Sequence, residues 1–282
     1  MVNHGIGAKR FVSDPANDQH KQNENIRTPM KYTESIKYKY PFALFLAGAL
    51  PASLCAAPTT ISQVVQADTY VSSGQPTVNF GTMGAMEIAV PTVAQTRTEE
   101  SLIRFSTSAI ESGFNTDYGV GNWTITSITL TLYSNFSTAG QQPGNTSFNA
   151  IAAGEFELDW LSNDSWSETG ITYNTISTVL PGTGNNALDS LGDFYWPATG
   201  ASSAIWTLAL DPNLIGDITS GSQATIFGQP TAGSTVGYLF NTLNNSPAYL
   251  NVTADVPEPP VMALWGSGLA GLPFIRRWNR QK

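Results

Sequence analysis

From Pro58 to Asp255 the chain has no lysine, no histidine and no cysteine. Both histidines, His4 and His20, and the single cysteine, Cys55, precede that stretch. Serine–histidine and cysteine–histidine nucleophiles are therefore excluded there, as are lysine Schiff bases and zinc sites built on His or Cys. A disulfide within the stretch is excluded too, so packing alone must hold it. Basic charge is equally scarce. Arg97 and Arg104 stand against sixteen carboxylates, which leaves −14. Two arginines cannot displace the counterions of a phosphate backbone, so nucleic acid is not expected as a partner. Docking of this stretch on an anionic lipid surface is disfavoured for the same reason. Neutral sugars, divalent cations and cationic surfaces remain compatible.

What the sequence does contain divides it into three parts: 1–57, 58–255 and 256–282. The first holds seven of the thirteen bases. Within it, Lys31, Lys37 and Lys39 precede a short apolar run, Phe42 to Leu50, and then the small residues Ala52, Ser53, Ala56 and Ala57. That is the layout of a secretory signal peptide, implying the Sec translocon and signal peptidase as partners, with Met30 as the working start. Cys55 raises a lipidated alternative, although Leu54 stands where a small residue is expected.

The last part reads VPEPPVMALWGSGLAGLPFIRRWNRQK. A helix from Val261 to Ile275 would cover about 22 Å, short of the roughly 30 Å hydrocarbon core. Arg276, Arg277 and Arg280 then form a basic stop. Pro257-Glu258-Pro259, an apolar stretch and an arginine cluster stand in that order at the C-terminus. This tail resembles the PEP-CTERM sorting signal of Gram-negative bacteria. The resemblance implies an exosortase as processing partner, a transient inner-membrane span, and a final place in the cell envelope, at the outer surface or in the extracellular matrix. The alternative is an ordinary C-terminal anchor.

Between these ends the dominant signal is alternation. Trp123 to Tyr133 is its clearest stretch. Ser101 to Phe105 sets Leu102 and Arg104 on one face and Ser101, Ile103 and Phe105 on the other. Further strands are expected at Ile61–Val65, Thr69–Val71, Met86–Val90, Ser147–Ala152, Gly170–Tyr173, Ala204–Leu210, Gln223–Phe227, Gly237–Phe240 and Ala248–Ala254. Asp211 to Ile218 reads as one short helical turn, and no long helical period or internal repeat is present. These short strands predict an all-β fold, a single antiparallel β-sandwich of jelly-roll type.

Several pieces carry a second resemblance: Ala67-Asp68-Thr69-Tyr70-Val71 with Asn79-Phe80-Gly81; Glu100 to Phe105; Ile125 to Tyr133; and Trp166-Ser167-Glu168-Thr169-Gly170-Ile171-Thr172-Tyr173-Asn174. In that order they resemble DNRLRE-type domains, β-sandwiches of secreted microbial proteins that bind carbohydrate. Tyr173 stands where that family often has tryptophan. The resemblance implies extracellular polysaccharide as partner.

Candidate site residues follow from residue chemistry. Arg104, mid-strand among apolar residues, needs a carboxylate partner, for which Glu168 or Glu100 serves; the reading is an internal Arg104–Glu168 clamp. Sugar rings stack on flat aromatic faces. Trp160 and Trp196, beside turns, are the expected platforms together with Tyr173, whereas Trp123 and Trp206 are assigned to the core and Trp166 to its turn. No cofactor is expected. Ca²⁺ is the structural ion that Asp159, Asp164, Asp189, Asp193, Asp211 and Asp217 would suit, and solvated turns are the plainer reading. Asp159 with Glu168, or Glu155 with Glu157, could be posed as a glycosidase pair. The expectation is a non-catalytic exported protein that binds or embeds in exopolysaccharide. A purely structural envelope protein, or a carboxylate-dependent hydrolase or lyase, are the alternatives.

Overall fold

The computed structural model describes residues 57–92, 96–135, 148–182, 184, 186–199 and 203–257. These belong to one compact unit bounded by Ser53 and Lys282. The segment before Ala57, where a signal peptide is expected, and the tail residues Glu258, Pro259, Arg276 and Arg277 lie outside the described residues. Pro257 is the last one inside.

Eleven strands and two short helices are present among the described residues. A four-stranded antiparallel sheet is ordered β1 (Thr59–Val64), β11 (Tyr249–Asp255), β5 (Thr124–Tyr133), β8 (Ser203–Leu208). A larger one runs β10 (Gly237–Asn241), β3 (Ala85–Ala89), β4 (Glu99–Ser106), β9 (Gln223–Pro230), β6 (Gly154–Leu161), β7 (Leu188–Trp196), with β2 (Ala67–Ser72) also paired to β4. This is an antiparallel all-β sandwich. Ile128, Leu130, Leu132, Leu250 and Val252 of the small sheet share one buried core with Ile103, Phe105, Phe156, Leu158 and Ile226 of the large one. A β-strand turns successive side chains to opposite faces, so each inward row leaves an outward row one residue away.

Two bulges reconcile the sequence with that period. Ile125 and Ile128 are both buried although three residues apart. The β11–β5 register shifts between Thr253 and Ala254, pairing Ser127 and then Ile125, so that Thr126 is passed over. In β7, Leu191, Phe194 and Trp196 all reach the core cluster or pack against it. The β6–β7 register skips Leu191 beside Gly192, whose φ of 136° requires glycine.

Helix α1 (Ser108–Tyr118) buries Ile110 and Phe114, and α2 (Pro212–Ser220) buries Leu214 and Ile218, each pair at the i, i+4 spacing of a helix face. The carboxylate of Asp211 accepts from the Asn213 and Leu214 amides and caps α2, with proline in its first turn. The Thr107 hydroxyl donates to the carbonyls of Asp217 and Ser222, tying the start of α1 to the end of α2.

Several expectations need correction. Gly170 to Tyr173 is not a strand. Amides of Thr175 and Ile176 donate to the Thr172 carbonyl, and the Thr175 hydroxyl accepts from the Thr172 amide, closing a turn that leads into a 3-10 turn at Ile176–Thr178. In Ser147–Ala152, Ser147 is outside the described residues, and the remainder forms only the Ala152–Gly237 bridge. Strands β6 and β7 and helix α1 were not foreseen.

Candidate functional site

Arg104 projects from β4 with Ala67 and Thr225 beside it in register, on the outer face of the large sheet. Segment 162–187 crosses this face. Its Trp166, Ile171, Ile176 and Val179 bury a second apolar cluster against Ala67, Val71, Leu102 and Phe227. Arg104 Nη1 donates to the carbonyls of Asp164 and Trp166, each at 2.7 Å, and the guanidinium lies 4.6 Å from the Trp166 ring centre. The Trp166 indole donates to Thr225 Oγ1, which donates to Asp164 Oδ1. Burial raises the Asp164 carboxyl, opposed by the Thr225 hydrogen bond and by Arg104.

The arginine is thus a clamp, but its acceptors correct the expected Arg104–Glu168 pair. Two carbonyls aimed by the turn accept from Nη1, in place of a direct carboxylate pair. Glu168 is held through its backbone instead. Asn79 Nδ2 donates to the carbonyls of Glu168 and Ile171 at 2.8 and 2.7 Å. A Cβ on Gly81 would stand 2.0 Å from the Glu168 carbonyl oxygen, so glycine is what lets the two segments meet. Asp68 is fully buried and accepts from the Leu243 amide; burial, helped by the Glu168 charge, pushes it up to about 7.

The expected sugar platforms are interior residues. Trp160 is buried, and its indole donates to Asp217 Oδ2 at 2.6 Å; burial raises Asp217 to about 6. Trp196 is 3% exposed and stacks on Tyr238 with ring centres 4.2 Å apart. The alternation of β6 and β7 dictates this, because Phe156, Leu158 and Trp160 of β6 and Phe194 and Trp196 of its neighbour β7 lie on the same inward face of the large sheet. Tyr173 is half-buried against the second cluster. Trp123 and Trp206 are half-buried and pack against the main core.

Beside Trp166 the crossing segment leaves an open cleft of about 360 Å³. The hydroxyl residues Ser165, Ser167, Thr175 and Thr178 line it together with Ile171 and Val179, and no charged side chain takes part. Carboxylates gather elsewhere. Glu155, Glu157 and Asp159 lie along the outer face of β6, with Tyr195 and Asp193 of β7 opposite Glu155 and Glu157. Gln229 Nε2 donates to Asp159 Oδ2 at 2.8 Å. Burial and then the Glu157 charge raise Asp159 to about 7. Asp159 is therefore linked to Glu157, its neighbour two residues back. Among the described residues, no group of three or more His, Cys, Asp or Glu side chains could hold a metal ion.

A second acid pair escaped the sequence reading. Glu87 of β3 and Glu99 of β4 are both fully buried. Arg97 Nε meets Glu99 Oε1 at 2.9 Å, and the Asn149 amide donates to Glu87 Oε2 at 2.7 Å. Burial, then a hydrogen bond to Glu99 and its charge, push Glu87 up to about 11, so this acid keeps its proton.

Comparison with known proteins gives a family match over just under half of the chain. Residues 59–191 match the model of carbohydrate-binding module family 96, which supports a carbohydrate-binding domain here. That range runs from the start of β1 into β7. No curated protein matches the chain significantly. One similar solved structure is VP1 of Trichodysplasia spinulosa-associated polyomavirus, 11% identical over 70% of this chain and 94% of that one. Its TM-score of 0.22 gives it no weight for fold or function.

Proposed function

We propose that this chain is an exported, non-catalytic protein whose β-sandwich binds extracellular polysaccharide. The match of residues 59–191 to a carbohydrate-binding module carries the reading. The open cleft beside Trp166, lined by hydroxyl and aliphatic residues, has the amphipathic character that suits a sugar ring. The linked carboxylates Glu157 and Asp159 are near neighbours on one strand, not a pair facing across a cleft, which favours binding over hydrolysis. The strand order supports a jelly roll: β1-β11-β5-β8 stands against β4-β9-β6-β7, with the chain crossing repeatedly between sheets and β2, β3 and β10 added at the margin. Export through a signal peptide, exosortase processing near Pro257-Glu258-Pro259 and an envelope or matrix location rest on the sequence of the two ends.

Two experiments test this. Pull-down of the purified chain on a panel of insoluble and immobilised polysaccharides is expected to retain it on at least one; recovery in every flow-through refutes binding. Intact mass of the protein from its native host is expected to lack both the signal peptide and the arginine cluster. A mass that still includes Lys282 refutes the sorting step.

A further inference from the structure

Resting on the polysaccharide-binding reading, we infer that the outer face of the four-stranded sheet is the docking surface for an uncharged polysaccharide. The cleft beside Trp166 holds a single small group, whereas a polymer needs an extended surface. Strands β1, β11, β5 and β8 together contain one charged residue, Asp255 at the end of β11, inside a stretch of formal charge −14. The register aligns their outward side chains in rows. One row runs Ser62, Asn251, Thr129, Thr207, and the next runs Val64, Tyr249, Thr131, Ile205. With strands about 4.8 Å apart and same-face residues about 6.7 Å apart along a strand, the two rows span roughly 14 Å by 7 Å between Cα positions.

The rows are ordered by hydrogen bonds. Ser62 Oγ donates to Asn251 Oδ1 at 2.7 Å, and Asn251 Nδ2 donates to Thr129 Oγ1 and Thr131 Oγ1 at 3.3 and 3.0 Å. Thr129 and Thr131 hydroxyls therefore accept within the sheet and keep their own protons for a ligand. Ser62 has used its proton and keeps lone pairs. Ser62 thus offers an acceptor and Thr129 and Thr131 offer donors around Asn251, so these side chains have little freedom left to lose on binding. The neighbouring row supplies apolar contact. Val64 is 37% and Ile205 66% exposed, and Tyr133 meets Tyr249 edge-on at 6.4 Å. A sugar polymer has this same composition, CH faces flanked by hydroxyls.

The occupant follows from charge. Edge strands of soluble sheets are normally guarded by charged side chains, yet the two edges here, β1 and β8, have none and each exposes an aliphatic residue. A polyanion would meet the carboxylate field of the remaining domain, whereas a neutral hydroxylated chain meets no penalty. Strands β8 and β11 lie beyond the residues matched to the carbohydrate-binding family.

The test is isothermal titration of the full-length chain with soluble hydroxyethyl cellulose, galactomannan and amylopectin, and with polygalacturonate as the anionic counterpart. The expected result is binding to at least one neutral polymer and none to polygalacturonate. Ile205→Asp and Thr207→Glu, both at exposed positions, should each weaken binding by about tenfold or more, with melting temperature confirming the fold. Thr178→Glu in the cleft should weaken binding less than either sheet variant. Loss with Thr178→Glu and wild-type binding by the two sheet variants overturns the assignment of the face but leaves polysaccharide binding intact. Preference for polygalacturonate overturns the ligand class. A dimer that Ile205→Asp converts to monomer gives the face to a second copy and also overturns the inference. No binding to any polymer removes the underlying reading itself.

Discussion

Glu87→Gln is expected to flatten the pH dependence of stability. Glu87 and Glu99 are both fully buried beside Arg97 and the Asn149 amide. Burial and the neighbouring acid raise the folded-state value of Glu87 from 4.5 to about 11. A raised value means the stability it contributes is complete below about pH 4.5 and is lost as pH climbs toward 11. Between pH 6 and pH 8 the folded protein holds one proton here that the unfolded chain has released. One proton corresponds to about 1.4 kcal/mol per pH unit, so the wild type should lose roughly 3 kcal/mol more than the variant over that interval. Glutamine keeps an acceptor for the Asn149 amide and a donor for Glu99, so the packing is retained. Asp68 and Asp159, both raised to about 7, slope in the same sense but are common to both proteins and cancel in the comparison. The assay is urea unfolding at pH 6, 7 and 8, followed by tryptophan fluorescence. Parallel slopes for the two proteins would show that Glu87 stays ionised in the folded protein, like any exposed acid, and would refute the argument.

Three further outcomes are expected. Trp196→Ala opens a cavity against Tyr238 and should cost about 3–5 kcal/mol in urea unfolding, with polysaccharide affinity preserved wherever the variant is folded. Arg104→Ala leaves the carbonyls of Asp164 and Trp166 without their donor; a loss of about 1–3 kcal/mol per orphaned group should appear, with faster proteolysis confined to 162–187. Asp211→Ala removes the cap of α2 and should lower stability by about 1 kcal/mol, read as a shifted urea midpoint.

The sandwich was legible wherever apolar residues alternated with threonine or serine. In β5 and β11 the pattern of Ile, Leu and Val against Thr and Asn names both the strand and its buried face. The face assignment of Leu102 and Arg104 against Ile103 and Phe105 also stands, because one strand suffices to fix it. Strand β6 hid because Glu155, Glu157 and Asp159 occupy its outward positions, and carboxylates are poor strand formers that look like loop residues until the pairing with β7 is known. Helix α1 hid because only Ile110 and Phe114 mark its buried side and Gly113 interrupts it, whereas Asp211-Pro212 announced α2 through its cap. The site was less legible for a different reason. Which tryptophan faces solvent depends on which sheet face is inside, and Trp160 and Trp196 were judged by nearness to turns, not by the parity of Phe156, Leu158 and Phe194. The buried Glu87–Glu99 pair and the hydroxyl rows of the small sheet are made by cross-strand register, which no single segment contains.

The account's central claim is tested most directly by affinity electrophoresis of the full-length chain through native gels cast with and without neutral polysaccharide. The account predicts retardation in at least one neutral gel and unchanged mobility in a gel containing polygalacturonate. Identical mobility in every gel would contradict it.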